Sequence, residues 1–599
     1  MAARLAILLT DVPGQASSAG DMLRLPIDGV SEQIEVTTIG PGHVAVARAS
    51  GGGSTIRLER TDPSGRWLWV VGVPIASGGS VDRRLDLVMS EPIDAAIDIL
   101  TALDGAFAAV LWDEPSARFV IVTDFAGLQP LYVRSRPGAL AFATSIAGLA
   151  RCGETYPDPA GWGAFVAFGH FIGERTSASD ITRVAAASVL EYAGSPGRLT
   201  SRTYWRWPEV KDPQTRDVDT SGLLAQLAEH IDAYMAHRSH GTLLLSGGFE
   251  SRLLAALLTS AGWAGTALTV NNPYEHHEID GRFARAVARE LGVRQRTVTP
   301  AESFFSTPAF LEYVRASDVA TTSVNLFIAY VCNEIVRSGA TAIWDGVGYG
   351  VVIKDKSAPD LDAYVQKAMA RPESPAWTAA RQVFSRTFVD AMIDGVADSV
   401  RRERDACFDG PAGVAQFFVR NRARNRTTPN PLKVYAPHAL PLMPGLSKQF
   451  YECVAALPPA LKKDNGLYRL IFERHFPRLA RLPFCSAGRL LPGSGAPTWM
   501  YRLLSARSRV VEHHRVGDWM RRSGVTPVPA RSRFVDAAVR DMDAGDPRLN
   551  AEGIGALTRT RPTGSIEDTT ARELVFYWSA WHAVMRQPSS RTVFAGCDS

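Results

Sequence analysis

Short apolar runs bounded by turn residues dominate the first third of the chain, and in the middle such runs alternate with longer amphipathic stretches. Trp67–Val73 and Phe119–Thr123 are continuous apolar runs of strand length, as expected of strands in the core of a sandwich. Gly194–Thr220, with Pro196, Gly197, Pro208, Pro213 and several charges, reads as a connection between domains. From Ser221 onward the period changes. Thr242–Leu245 reads as a strand, a helix follows from about Glu250 to Ala261, and Thr266–Val270 reads as a second strand. Ile279, Phe283, Val287 and Leu291 then recur every fourth residue, an apolar helix stripe closed by Gly292. Val293–Thr299 is a third strand. A helix opening at Ser323 buries Ile328, Val331, Cys332 and Ile335 and ends at Gly339, and Thr341–Asp345 is a further strand. The C-terminal third reads as mainly helical.

Strands alternating with helices of this length imply a parallel sheet wound on both faces. The expected fold is therefore α/β: an N-terminal α+β sandwich over residues 1–205, a linker over 206–220, and a Rossmann-like doubly wound domain with a helical C-terminal part over 221–599. Ligands of such sheets sit beyond the carboxyl ends of the strands. Two glycine-bearing segments fall at such ends, Ser246-Gly247-Gly248 and Asp345-Gly346-Val347-Gly348, so they can line one cleft. In the first, an apolar strand runs into Ser-Gly-Gly and then a helix. The glycines let the backbone turn tightly against a ligand, and the free N–H groups of the helix start form an anion site. That arrangement suits phosphate, here the pyrophosphate end of ATP.

A chain of 599 residues holds more than one domain, two large ones being the simplest division. A net charge of +4 gives no reason to expect nucleic acid or a membrane as partner, which leaves a small-molecule or peptide substrate. The basic run Arg420–Arg426 reads as a solvated face, or as a contact for phosphate or an acidic peptide. The six cysteines are scattered, with no CxxC, which argues against zinc or a disulfide scaffold and fits a reducing cytoplasm. The opening residues Met1–Asp11 are too short an apolar run for a signal peptide, and Leu253–Val270 is broken by Thr259, Ser260, Gly262 and Gly265.

Leu103-Asp104-Gly105-Ala106-Phe107-Ala108 through Asp113, then Asp124–Tyr132, then Phe142-Ala143-Thr144-Ser145-Ile146 follow one another in the order LDGxFAxxxxD, RDxxGxxPLYY and FASEI. With these segments the N-terminal half resembles the class II glutamine amidotransferase domain, an Ntn-type fold. In that family the nucleophile is a cysteine exposed when the initiator Met is removed. Position 2 here is Ala2, and Thr123 stands where the family has Arg. A methyl group cannot attack an amide, so the resemblance implies a retained fold without glutaminase chemistry.

Ser246–Ser251 resembles the SGGxDS loop of ATP-pyrophosphatases, with Glu250 at the family's Asp, and the C-terminal half resembles the synthetase domain of asparagine synthetase. The resemblance implies ATP and Mg²⁺ as cofactors. It places ATP on Leu245, Ser246, Gly247, Gly248, Glu250, Ser251, Val270 and Gly346, and the metal on Glu250 and Asp345. Glu278 and Asp280 match an acidic family patch loosely, and an ordinary acid-rich first helical turn explains them equally well. The two acids of the family's GxGxDE fall on Gly350 and Val351, leaving Asp345 or Asp355 to supply the carboxylate. Leu457–Arg469 is similar to LPxxLKxxxGxxKxxLR, with Arg469 at the catalytic Lys and Lys462 and Lys463 nearby. Glu250, Tyr349 and Arg469 are thus the candidate catalytic residues.

The activity implied is an ATP-dependent ligase that adenylates a substrate carboxylate, releases pyrophosphate, and couples the carboxylate to a substrate amine. Lasso peptide macrolactam cyclases and β-lactam synthetases share that logic, and the former would bring a precursor peptide and a protease as partners. The alternatives are an asparagine synthetase-like amidotransferase in a natural-product or cell-surface sugar pathway, and a catalytically degenerate binding protein.

Overall fold

The computed structural model describes residues 4–10, 15–23, 33–39, 44–50, 59–136, 139–193, 198–209, 218–236, 240–271, 278–299, 301–320, 326–353, 361–362, 365, 374–429, 431–436, 438–486, 489–491, 493–494, 499, 533–543, 545–563 and 565–585. The N-terminal strands are β1 (Arg4–Thr10), β2 (Gln33–Ile39), β3 (Val44–Ser50), β4 (Glu59–Thr61), β5 (Arg66–Ile75), β6 (Asp104–Asp113), β7 (Arg118–Thr123), β8 (Tyr132–Arg136), β9 (Ala139–Ala143), β10 (Ile181–Arg183), β11 (Ser188–Ala193) and β12 (Arg198–Thr203). They form two antiparallel sheets, ordered β10-β8-β9-β1-β3-β2 and β12-β11-β7-β6-β5-β4.

Leu5, Ile7, Leu9 and Val46 of the first sheet meet Trp69, Val71, Val110 and Ile121 of the second in one buried cluster. The alternate positions are buried as well. Ala6, Leu8, Ala45 and Ala47 lie beneath the helix Ile146–Ala150, while Leu68, Val70, Leu111 and Val120 lie beneath the helices Val81–Ser90 and Ile93–Ala102. The result is a helix–sheet–sheet–helix stack. Covering both faces explains why Trp67–Val73 and Phe119–Thr123 read as continuous apolar runs instead of alternating ones. At the start of β6, Gly105 takes φ 88°, and a Cβ there would lie 2.2 Å from the Val73 carbonyl oxygen, so only glycine fits. The expectation of a plain connection over Gly194–Thr220 is corrected in part. Arg198–Thr203 pairs antiparallel with β11 as an edge strand, where charged and polar residues are tolerated.

In the C-terminal half, β13 (Thr242–Leu244), β14 (Thr266–Val270), β15 (Gln295–Val298), β16 (Ala342–Trp344) and β17 (Leu440–Leu442) form a sheet ordered β15-β14-β13-β16-β17. Every neighbouring pair is parallel. The chain starts at the centre, winds outward to β15, and returns to the other side at β16. The strand order therefore reverses between β13 and β16, where doubly wound sheets open a crevice. The three expected helices are observed, among others, as Phe249–Ser260, Glu278–Glu290 and Leu326–Ser338. In the second, Ala284, Val287 and Ala288 form the buried face while Phe283 and Leu291 are only half-buried, a shift of the expected stripe; the side chain of Ile279 lies outside the described residues, as does Ser323. Ile328, Val331, Cys332 and Ile335 are buried as expected. The fifth strand was not expected: it is three residues long and contains Pro441.

Two carboxylates join the halves by capping each other's helices. Asp104 accepts from the backbone N–H of Lys448 (2.7 Å) and from Ser447 Oγ (2.8 Å) at the start of the helix Lys448–Ala455. Asp318 accepts from the N–H groups of Ile146 (3.0 Å) and Ala147 (3.2 Å) and from Ser145 Oγ (2.6 Å). Lys433 donates to Asp318 and to the Tyr132 hydroxyl (3.1 Å). Burial opposes the Lys433 charge, yet Asp318 and Tyr132 outweigh it and hold the ammonium above its ordinary pKa. The basic run is corrected too. Asn421, Arg424 and Asn425 are buried in a π-helical segment, Val419–Thr427, and bond the backbone of Gly173, Val184 and Phe171. These residues face the other half of the protein; in the run Arg420–Arg426, Arg422 alone is exposed.

Among the described residues no helix is long and apolar enough to cross a membrane. Asp318→Ala is expected to cost about 3–5 kcal/mol, because Lys433 is left buried without its carboxylate. Adding Lys433→Met should recover much of that loss in denaturant unfolding; equal loss in the single and double variants would show that the pair is not the source.

Candidate functional site

Ser246, Gly247 and Gly248 leave the end of β13 and open the helix Phe249–Ser260, whose N-cap Gly248 brings no side-chain cap to the first turn. The loop is braced from inside. Ser251 Oγ accepts from the Ser246 backbone N–H (3.0 Å) and lies 2.9 Å from Ser246 Oγ, and Ser246 Oγ accepts from the Gly248 N–H (3.2 Å). The fully buried Arg252 braces it from below. Its Nη2 donates to the carbonyls of Gly247 (3.1 Å) and Pro483 (2.6 Å), and its Nη1 to those of Leu479 and Leu482 (both 3.1 Å). Its guanidinium also stacks over the Phe484 ring at 3.9 Å. Burial pushes this guanidinium down to about 9. The Gly247 carbonyl also accepts from the Cys485 N–H at 2.9 Å. Phe249 fills the space beneath, stacked on Phe484 (4.0 Å) and Tyr468 (5.1 Å). Arg252 and Phe249 were visible in the motif, but the sequence carried no signal of their roles.

The second glycine segment meets the first. A Cβ on Gly346 would lie 2.9 Å from the Ser251 backbone nitrogen and 3.0 Å from the Glu250 carbonyl carbon, so the two strand ends touch through a glycine. Asp345 follows β16 directly and accepts from the Val347 N–H at 3.0 Å. Burial, with the nearby Glu250 charge adding to it, pushes the Asp345 carboxyl up to about 6 against that hydrogen bond. Two carboxyl groups, Glu250 and Asp345, therefore lie near each other beside the Ser246–Gly248 loop. Leu245 is buried, and Val270, at the end of β14, is half-buried. Tyr349 is fully buried, its ring edge-on to Phe450 at 5.4 Å and its hydroxyl without a hydrogen-bond partner. Burial drives its pKa up.

Arg469 is half-buried on the helix Gly466–His475, beside the Tyr468 that stacks on Phe249. Lys462 is buried, and desolvation pushes its ammonium down to about 8, whereas Lys463 is exposed. Between them and Arg469, Asp464 and Asn465 both take left-handed backbone angles (φ 53° and 61°), an uncommon strained pair. Asp355 lies outside the described residues, as do the side chains of Glu278 and Asp280. Among the described residues no group of three or more His, Cys, Asp or Glu side chains could hold a metal.

In the N-terminal half, Ala2 lies outside the described residues. Thr123 is buried; its Oγ1 donates to the Ala185 carbonyl (2.8 Å) and accepts from the Ser188 N–H (3.0 Å). It therefore ties β7 to the start of β11. Asp124 accepts from the N–H groups of Ala126, Leu128 and Gln129, and burial still pushes it up to about 6.

Residues 83–151 match the profile of a glutamine amidotransferase domain. No curated protein matches the chain. Among solved structures, the glutamine phosphoribosylpyrophosphate (PRPP) amidotransferase from B. subtilis, complexed with ADP and GMP, is similar at 11% identity over 49% of this chain and 90% of that one, with a TM-score of 0.24. A structure of the allosteric regulatory enzyme of purine biosynthesis is similar at 12% identity over 50% and 74% of the two chains, with a TM-score of 0.21. On the profile match, the chain carries a glutamine amidotransferase-like domain over residues 83–151.

Asp345 gives the site a pH signature. Its folded value, about 6, lies above the ordinary 3.8, so its contribution to stability is full below about pH 3.8 and is lost as the pH rises through about 6. Asp345→Asn is expected to be the more stable protein near pH 7, by about 1–2 kcal/mol once partial solvent access is allowed for, and to match the wild type near pH 4. Denaturant titrations at the two pH values check this, and an equal difference at both would contradict it.

Proposed function

We propose that the protein is an ATP-dependent ligase that activates a substrate carboxylate and joins it to an amine, with an amidotransferase-like domain retained for its fold. One observation carries the reading: Ser246-Gly247-Gly248 sits where the sheet order reverses and opens a twelve-residue helix with no side-chain cap on its first turn. The N–H groups that open such a helix suit an anion, and sheets of this kind bind nucleotides where their strand order reverses.

The donor set beside the loop fits a hard divalent cation. Magnesium keeps several waters and takes one or two carboxylates together with substrate phosphates, and Glu250 and Asp345 would supply those carboxylates. Bound there, it would neutralise phosphate charge. The chain's own residues do the rest. Arg252 fixes the loop so that its N–H groups need no reorganisation when phosphate arrives. Gly346 keeps the two strand ends in contact. Lys462, whose ammonium burial pushes down to about 8, ends the helix Pro459–Lys462, and Arg469 lies on the next α-helix, Gly466–His475.

The amine on this reading is the substrate's own, with free ammonia as the other source. A peptide or small molecule that closes an internal amide, as in lasso peptide cyclisation, satisfies this. A second reading is favoured by Gly350 and Val351, which bring no acid to the crevice. On that reading the protein binds nucleotide without turning it over.

Pyrophosphate release from ATP, dependent on magnesium and on a peptide carrying an internal Asp or Glu, is the expected result for the ligase. Binding of ATP without release under any substrate would favour the second reading. Gly346→Val, which drives a side chain into the Ser251 backbone, is expected to weaken ATP binding at least tenfold, about 1.4 kcal/mol, in calorimetry. Unchanged affinity would remove the switch-point loop from the account.

A further inference from the structure

Glu250 stands in the first turn of the helix Phe249–Ser260, and Gly350 lies in the short helix Tyr349–Ile353 that follows β16. A Cβ on Gly350 would lie 1.6 Å from Glu250 Oε1 and 2.6 Å from its Cδ. The Glu250 carboxylate therefore fills the volume in which any side chain at position 350 would have to begin. Nothing in the backbone asks for glycine there: the residue is helical, and glycine is a poor helix former. What stands there is the carboxylate, and Glu250 would have to swing away to admit a side chain at 350.

Buried tyrosines and a second carboxyl group surround that carboxylate. Tyr349, Tyr451 and Tyr468 are all fully buried, and the Glu250 charge acts on the last two and on Asp345. The hydroxyls of Tyr349 and Tyr468 have no hydrogen-bond partner, an arrangement that costs free energy unless water or a ligand completes it. The length of the side chain matters as well. An aspartate at 250 would end about 1.5 Å short of this position.

We propose that Glu250 delivers from the loop side the carboxylate that a residue at 350 would otherwise present, and that Gly350 is the complementary gap that admits it. Glu250 and Asp345 then act together beside the end of β16, on one side of the phosphate loop. The use of that carboxylate rests on the nucleotide reading above, while the exchange itself rests on the contact between the two positions.

The test compares wild type, E250D, G350A, G350D and E250D/G350D by thermal midpoint without ligand and by magnesium-dependent ATP affinity in calorimetry. G350A and G350D are expected to lower the midpoint by several degrees and to weaken ATP binding at least about tenfold. E250D should keep the midpoint but weaken binding about tenfold. The double variant E250D/G350D should recover both, with affinity within about threefold of wild type, because residues in contact do not add. Additive losses in midpoint overturn the proposal, and G350A supplies that answer if G350D does not fold. Coupled midpoints with no ATP binding in any protein, wild type included, uphold the exchange and overturn the nucleotide reading. Wild-type binding that the double variant fails to recover overturns the exchange alone.

Discussion

The buried guanidinium of Arg252 is the interaction on which the candidate site depends. It donates to four backbone carbonyls, one in the loop after β13 and three in the segment 479–483, and it carries no carboxylate partner among these bonds. A buried cation is costly unless its donors are satisfied; here four carbonyls take Nη1 and Nη2 and the Phe484 ring lies against the guanidinium, while Nε has no hydrogen-bond partner. The consequence is mechanical. The Ser-Gly-Gly bend cannot move without breaking bonds to a segment more than two hundred residues away in sequence, as the 227 to 231 positions between Arg252 and its acceptors make plain. An anion site made of backbone N–H groups works only if those groups already point the right way, so the rigidity is part of the function proposed.

The same logic runs through the contact between halves. Asp104 and Asp318 each cap a helix contributed by the opposite half, and the segment Val419–Thr427 spends its amides and one arginine on the backbone of the N-terminal part. Helix ends leave unpaired N–H groups, and a carboxylate from across an interface satisfies them while fixing orientation. The amidotransferase-like domain therefore has a structural use here independent of any glutaminase chemistry. Thr123, bonded into the joint between β7 and β11, occupies its position as a builder of sheet.

Much of this was readable from the chain. Thr266–Val270 is the strand expected, the loop Ser246–Gly248 follows a strand and opens a helix, and the three amidotransferase-like segments fall within the matched residues 83–151. These features are local: apolar period and turn chemistry specify them within a few residues. The strand Leu440–Leu442 was not readable, since three residues with a proline carry no period. The run Arg420–Arg426 misled because charge reads as surface unless its partners are known, and those partners lie some 240 to 254 positions earlier. The surroundings of Glu250, which stands at the Asp of the motif it resembles, were hidden for the same reason. Its meaning depends on the absence of a side chain at Gly350, which only the folded chain brings against it.

The most direct measurement is an experimental structure of the protein with magnesium and a non-hydrolysable ATP analogue. The account requires the β- and γ-phosphates to lie against the backbone N–H groups of Gly247 to Ser251, with Glu250 and Asp345 turned toward the metal. A nucleotide found elsewhere, or a loop that stays empty at saturating analogue, would contradict it.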